Sequence, residues 1–175
     1  MARLVVNRDR FFERARPTGD LLVNSFLSQY GIVRAALALP PAKVLVFLTI
    51  VAATVQKLMR KSELPADLNG TAPVPRAMWG YISRRSIAAS TGLPRENVRR
   101  IVDELLLQDW LITDSRGAVA NANRGQLMSR PEVLDGLEQL VREIAQVAEK
   151  LIEAGVIEFR TDEREDSPNR TKSNR

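Results

Sequence analysis

The chain contains no cysteine and no histidine. The first absence excludes disulfides, zinc–thiolate sites and cysteine nucleophiles. The second removes the usual general base and the commonest metal ligand. Aromatic residues make up only 5% of the sequence. No convergent acid–base or metal-binding constellation stands out among the remaining residues. A non-enzyme without cofactor or metal is therefore the expectation. Lack of cysteine also fits a reducing compartment. The opening "MARLVVNRDRFFERARP" carries too many charges and too short an apolar run for a signal peptide, so a cytoplasmic location is expected.

What is present suits a single globular domain with flanking arms. Of 175 residues, 45% are hydrophobic, enough for a core, and 27% are charged. The net charge of +5 is unevenly spread. Residues 1–62 carry 10 basic and 3 acidic groups, residues 76–130 carry 9 and 5, and residues 131–175 carry 7 and 11. The front three quarters favour a polyanionic partner and the C-terminal part does not.

Breaks in composition divide the chain. Residues 1–18 form an Arg-rich N-terminal arm ending at Pro17. Residues 19–62 hold two helices, from about Leu21 to Ala38 and from about Pro41 to Lys61, parted by Pro40-Pro41. The core of the second, "VLVFLTIVAATV" (44–55), is apolar nearly all round. Twelve residues are too few to cross a membrane, so burial inside a dimer is expected. Residues 63–77, with three prolines and a glycine, read as a loop. A last helix spans about 131–157. The polar tail, 158–175, is expected to be disordered.

Residues 78–130 carry the main functional signal. In "SIAASTGLPRENVRRIVDELL" (86–106), a helix, a turn containing Gly92 and a second helix follow one another. Ala88 allows two helices to cross closely, Gly92 supplies a turn with φ > 0, and Val98 and Ile101 pack back on the first helix. The second helix then turns Glu96, Arg99, Arg100 and Asp103 away from its apolar side, with Arg95, Glu96 and Asn97 at its start. Arginine bonds bidentately to guanine and asparagine to adenine. The candidate DNA-binding residues are Arg84, Arg85, Arg95, Glu96, Asn97, Arg99, Arg100 and Arg116. A solvated charged face is the alternative. "WLIT" (110–113), "DSRG" (114–117) and "AVAN" (118–121) then read as a hairpin.

This stretch, about residues 86–130, resembles the winged-helix core of the MarR family of transcription regulators. Asp114 and Arg116 match that family's Asp-x-Arg wing, and Gly125 falls where its Leu-Thr-x-x-Gly segment lies. Trp110 stands where the family has glycine, and the wing is short. The resemblance implies a mainly α fold with a small β-hairpin wing, and N- and C-terminal helices that form a homodimer. It implies a recognition helix in the major groove of double-stranded DNA, and Arg116 in the minor groove oriented by Asp114. It also implies a small-molecule effector between dimer helices and winged domain, where Met78, Trp79, Tyr81 and Trp110 are candidates for the lining or for the core.

The last helix adds a heptad rhythm. Leu137, Leu140, Ile144, Val147, Leu151 and Ala154 are spaced by threes and fours, and Leu134, Val141 and Ala148 widen the stripe. That width exceeds what one small winged domain needs to cover and suggests packing against a second subunit or against the apolar helix of residues 44–55. The leading expectation is a dimeric, sequence-specific transcription regulator. The alternatives are a winged-helix protein-interaction or assembly module, and a plasmid or phage replication or partition factor.

Overall fold

The computed structural model describes residues 2–60, 68, 70–72, 74–122, 128 and 130–161. The fold is mainly helical, with two small antiparallel sheets among the described residues. The chain divides into two units. One comprises residues 1–27 and 142–175, the other residues 28–141.

The larger unit is built around a helix, α3 (Pro41–Met59). Pro40-Pro41 starts it as expected, since a helix's first turn has no use for the missing N–H. Val44, Val46, Phe47 and Ile50 are essentially inaccessible, packed with the residues of α4 (Arg84–Thr91), α5 (Arg95–Leu107) and the hairpin β2 (Leu111–Thr113) and β3 (Val119–Asn121). Much of this apolar helix is covered within its own chain, where two helices and a strand each claim a face, while Leu45 and Leu48 stay exposed.

Polar groups fix the hairpin on α3. The Thr54 hydroxyl donates to the Ile50 carbonyl at 2.8 Å and accepts the Asn121 N–H at 3.0 Å. Gly80 donates its N–H to the Thr54 carbonyl at 2.8 Å. A Cβ on residue 80 would lie 2.3 Å from the Ala53 oxygen, so only glycine fits there. Ile82 exchanges both backbone hydrogen bonds with Val119. β3 therefore has a partner on each side, and all three of its residues are buried. Before α4 the chain makes a 3-10 turn at Arg76–Met78 and then runs extended.

The helix-turn-helix geometry follows the sequence closely. Ser83 caps α4, accepting the Ser86 N–H at 3.1 Å. Gly92 closes it with φ 69°. Val98, Ile101, Val102 and Leu105 form the buried side of α5. α5 ends at Leu107, and Asp109 takes the left-handed conformation, φ 56°. Trp110 is thus free of that duty, which explains why the absence of glycine there is tolerated. Its ring packs edge-on against Phe47, centroids 5.0 Å apart.

Two long helices, α2 (Ala15–Leu37) and α6 (Pro131–Glu153), contribute one end to each unit. Within the larger unit they approach closely, Gly136 facing Ala36 and Ile32. α2 starts earlier than the sequence reading placed it. Pro17 was expected to break the chain, but it sits in the first helical turn, where its missing N–H costs nothing.

The smaller unit also corrects the expected N-terminal arm. Residues 2–6 form a strand, β1 (Ala2–Val6), followed by a short helix, α1 (Arg8–Glu13). β1 pairs antiparallel with β4 (Ile157–Thr161), Leu4 opposite Phe159. Residues 158–161 of the expected tail are therefore strand. Residues 162–175 lie outside the described residues, as do residues 63–67, 69 and 73 of the expected loop and Gly125.

Candidate nucleic-acid interface

α5 buries its aliphatic side and turns the rest outward. Arg95, Glu96, Asn97, Arg99 and Arg100 are all exposed, as the helical spacing predicts. Beyond α5, Arg85 on α4 and Arg116 at the tip of the hairpin are exposed too. Among the described residues, no ion pair or side-chain hydrogen bond engages Arg85, Arg95, Asn97 or the Arg116 guanidinium.

The other arginines are held. Arg99 donates from Nε to Glu96 at 3.0 Å and from Nη1 to Asp103 at 3.0 Å. These are the i, i+3 and i, i+4 pairings of a helix surface. The hydrogen bond from Arg99 holds the Glu96 carboxyl below its usual range, and Glu96 in turn raises the Arg99 guanidinium. Arg100 reaches Glu104 at 3.5 Å, and Glu104 also accepts from Lys43 on α3 at 2.6 Å. α5 as a whole is balanced, three arginines against Glu96, Asp103 and Glu104.

Arg84 joins three elements. Its Nη2 donates to Asp103 at 2.9 Å and its Nη1 to the Gly117 carbonyl at 3.3 Å. The start of α4, the outer side of α5 and the hairpin tip therefore meet at one half-buried guanidinium. Arg85 and Arg116 are the chain neighbours of the two backbone positions so joined. Arg84, a candidate DNA-contacting residue by sequence, serves here as a strut. Its pairing with Asp103 spans nineteen positions, and no local spacing rule announces it.

Asp114 was expected to orient Arg116. Its Oδ1 accepts the backbone N–H groups of Arg116 at 2.9 Å and Ala118 at 2.8 Å. The carboxylate thus shapes the turn that presents Arg116, with Gly117 at φ 75° completing it. The guanidinium itself projects unbound.

Comparison with protein-family models, with curated proteins and with solved structures finds no match. The geometry therefore stands by itself. It offers exposed cations on α4, α5 and the hairpin tip, with an amide at the α5 N-terminus. Such groups suit phosphate oxygens and base edges. Among the described residues no cluster of three or more acidic side chains is placed to hold a metal ion. Of the candidate cleft residues, Trp110 belongs to the core contact with Phe47. Trp79 donates its indole N–H to the Val74 carbonyl at 2.8 Å and lies under Arg76. No single helix among the described residues is long and apolar enough to cross a membrane.

Proposed function

We propose that this protein is a winged helix-turn-helix DNA-binding protein, a sequence-specific transcription regulator that works as a dimer. One observation carries the reading. Arg84 ties α4, α5 and the hairpin together, with the exposed cations Arg85 and Arg116 next in the chain to the positions it joins, and Arg95 and the amide of Asn97 stand exposed at the start of α5. α5 is the element that enters the major groove, with Arg95 and Asn97 at its leading end. Arg116 enters the adjacent minor groove, whose negative potential draws arginine. Arg99 and Arg100 give up their helix carboxylates to reach phosphates or guanine. The resemblance of residues 86–130 to the MarR family points the same way.

The competing reading is a winged-helix protein-interaction module. It draws on the charge balance of α5, since a helix whose arginines are already paired is less committed to a polyanion. Selection of bound duplexes from a random pool by the full-length protein separates the two. The DNA reading expects an enriched motif and an affinity that falls steeply with salt. No enrichment, with weak salt dependence, would replace it by the protein-interaction reading.

A further inference from the structure

We propose that the cleft between the start of α2 and the end of α6 binds a small aliphatic carboxylate, held by Arg14, Lys150 and the Thr18 hydroxyl. The site lies wholly within the smaller unit and within one copy of the chain. It shares no residue with the candidate nucleic-acid interface and does not depend on DNA binding.

Local geometry brings the groups together. Arg14 immediately precedes α2, and the Thr18 N–H donates to the Arg14 carbonyl at 3.0 Å. Arg14, Thr18 and Leu21 therefore stand on one side of the chain, successive turns apart. Lys150, Leu151 and Ala154 come from the end of α6. Together the two sides enclose a cleft of about 240 Å³.

Thr18 departs from the other helical threonines. Thr49, Thr54 and Thr91 each donate their hydroxyl to the carbonyl one turn back, at 2.8 Å. That bond is the usual local outlet for a threonine inside a helix. Thr18 is 5% exposed, as closed off as Thr54 at 4%, yet its hydroxyl has no hydrogen bond among the described residues. A buried hydroxyl without a partner is destabilising. On the wall of a cleft it is open to a ligand atom instead.

Charge and lining select the ligand. Arg14 and Lys150 both line the cleft, and among the described residues neither is in an ion pair. None of the described lining residues is acidic. Two cations at one cleft repel one another until an anion joins them. Pro17, Leu21, Leu151 and Ala154 make the rest of the wall. Inorganic phosphate would lose hydration against that wall and find few donors in return. A carboxylate on a hydrocarbon chain satisfies both halves. Its oxygens accept from Arg14, Lys150 and Thr18, and its chain covers Leu21 and Leu151. At about 30 Å³ for each water-sized group, the cleft takes on the order of eight such groups, the scale of octanoate.

The test is calorimetric titration of the full chain, without DNA, with sodium octanoate. One saturable site per chain is expected. Octanamide keeps the chain and loses the charge, and acetate keeps the charge and loses the chain. Each should bind about 10-fold more weakly or worse. Thr18→Val keeps the shape and removes the hydroxyl. It should weaken octanoate by about 10-fold while thermal unfolding of the free protein stays unchanged or rises, since no hydrogen bond is lost. A threonine with only a structural role would lower the unfolding temperature and leave the affinity alone. Arg14→Gln and Lys150→Gln should each weaken octanoate by about 10-fold, and both side chains are exposed, so helicity by circular dichroism should persist. Leu107→Asp, on α5 and 86% exposed, should bind as the wild type does. The proposal is overturned if octanoate shows no saturable site, or if octanamide or inorganic phosphate binds as tightly. It is overturned too if Thr18→Val, Arg14→Gln and Lys150→Gln all leave the affinity unchanged. A protein that selects DNA but takes up no octanoate would remove this site and leave the DNA reading standing.

Discussion

Arg84 and Asp103 meet at 2.9 Å, and the same guanidinium reaches the Gly117 carbonyl at 3.3 Å. The hairpin tip is therefore held to α5 through a residue of α4. Arg84→Ala should lower stability by about 1 kcal/mol, the scale of a partly exposed charge-assisted pair. The larger effect should be local, with faster amide exchange at Ala118 than at Val119. Unchanged exchange across residues 114–118 would show that the strut does not restrain the hairpin.

The end of α5 offers a gain. Asp109 adopts φ 56°, a conformation that penalises any side chain. Asp109→Gly should raise stability by roughly 0.5–1 kcal/mol. The midpoint of urea unfolding measures it. A loss would mean that the Asp109 side chain contributes more than its backbone costs.

Phe47 tests the place of α3. It is fully buried and stacks edge-on with Trp110. Phe47→Ala should cost about 3–5 kcal/mol. Phe12→Ala, on a side chain 62% exposed, should cost far less. Equal losses in thermal unfolding would contradict the assignment of α3 to the core.

The acid side of the stability profile has a named contributor. The Lys43 ammonium holds the Glu104 carboxyl below its usual 4.5. A carboxyl depressed in the folded chain stabilises it above the unfolded value and loses that contribution as pH falls through the folded one. Stability should thus decline below about pH 4.5, and Glu104→Gln should flatten part of that decline. No histidine is present, so no imidazole step is expected between about pH 6 and 8. An acid limb identical in Glu104→Gln would remove this pair from the account.

Much of the larger unit was legible because its signals are local. Ala88, Gly92, Val98 and Ile101 fix a crossing, a turn and two facing sides by spacing alone, and the structure has them so. Asp114 and Gly117 announce the hairpin turn in the same way. The role of α3 was not legible. An apolar helix looks alike whether its cover comes from its own chain or another, and only the tertiary contacts of Phe47 and Thr54 decide. The β1–β4 pairing joins residues about 155 positions apart, which no local rule reaches. The alternation Ile157-Glu158-Phe159-Arg160 did carry a strand signal, masked by the polar run after it. The pairing of Arg84 was hidden for a related reason. Exposure to an anion and a strut to Asp103 both call for an arginine, and only the distance separates them.

Under the proposed function, α5 reads bases. Its most direct test is the ratio of affinities for the selected duplex and a scrambled one, in wild type and Asn97→Ala at fixed salt. Asn97 is exposed at the leading end of α5 with its amide uncommitted. The wild type should prefer the selected duplex, and that preference should shrink by about 1–3 kcal/mol in Asn97→Ala, with affinity for the scrambled duplex unchanged. A wild type that binds both duplexes equally would contradict it.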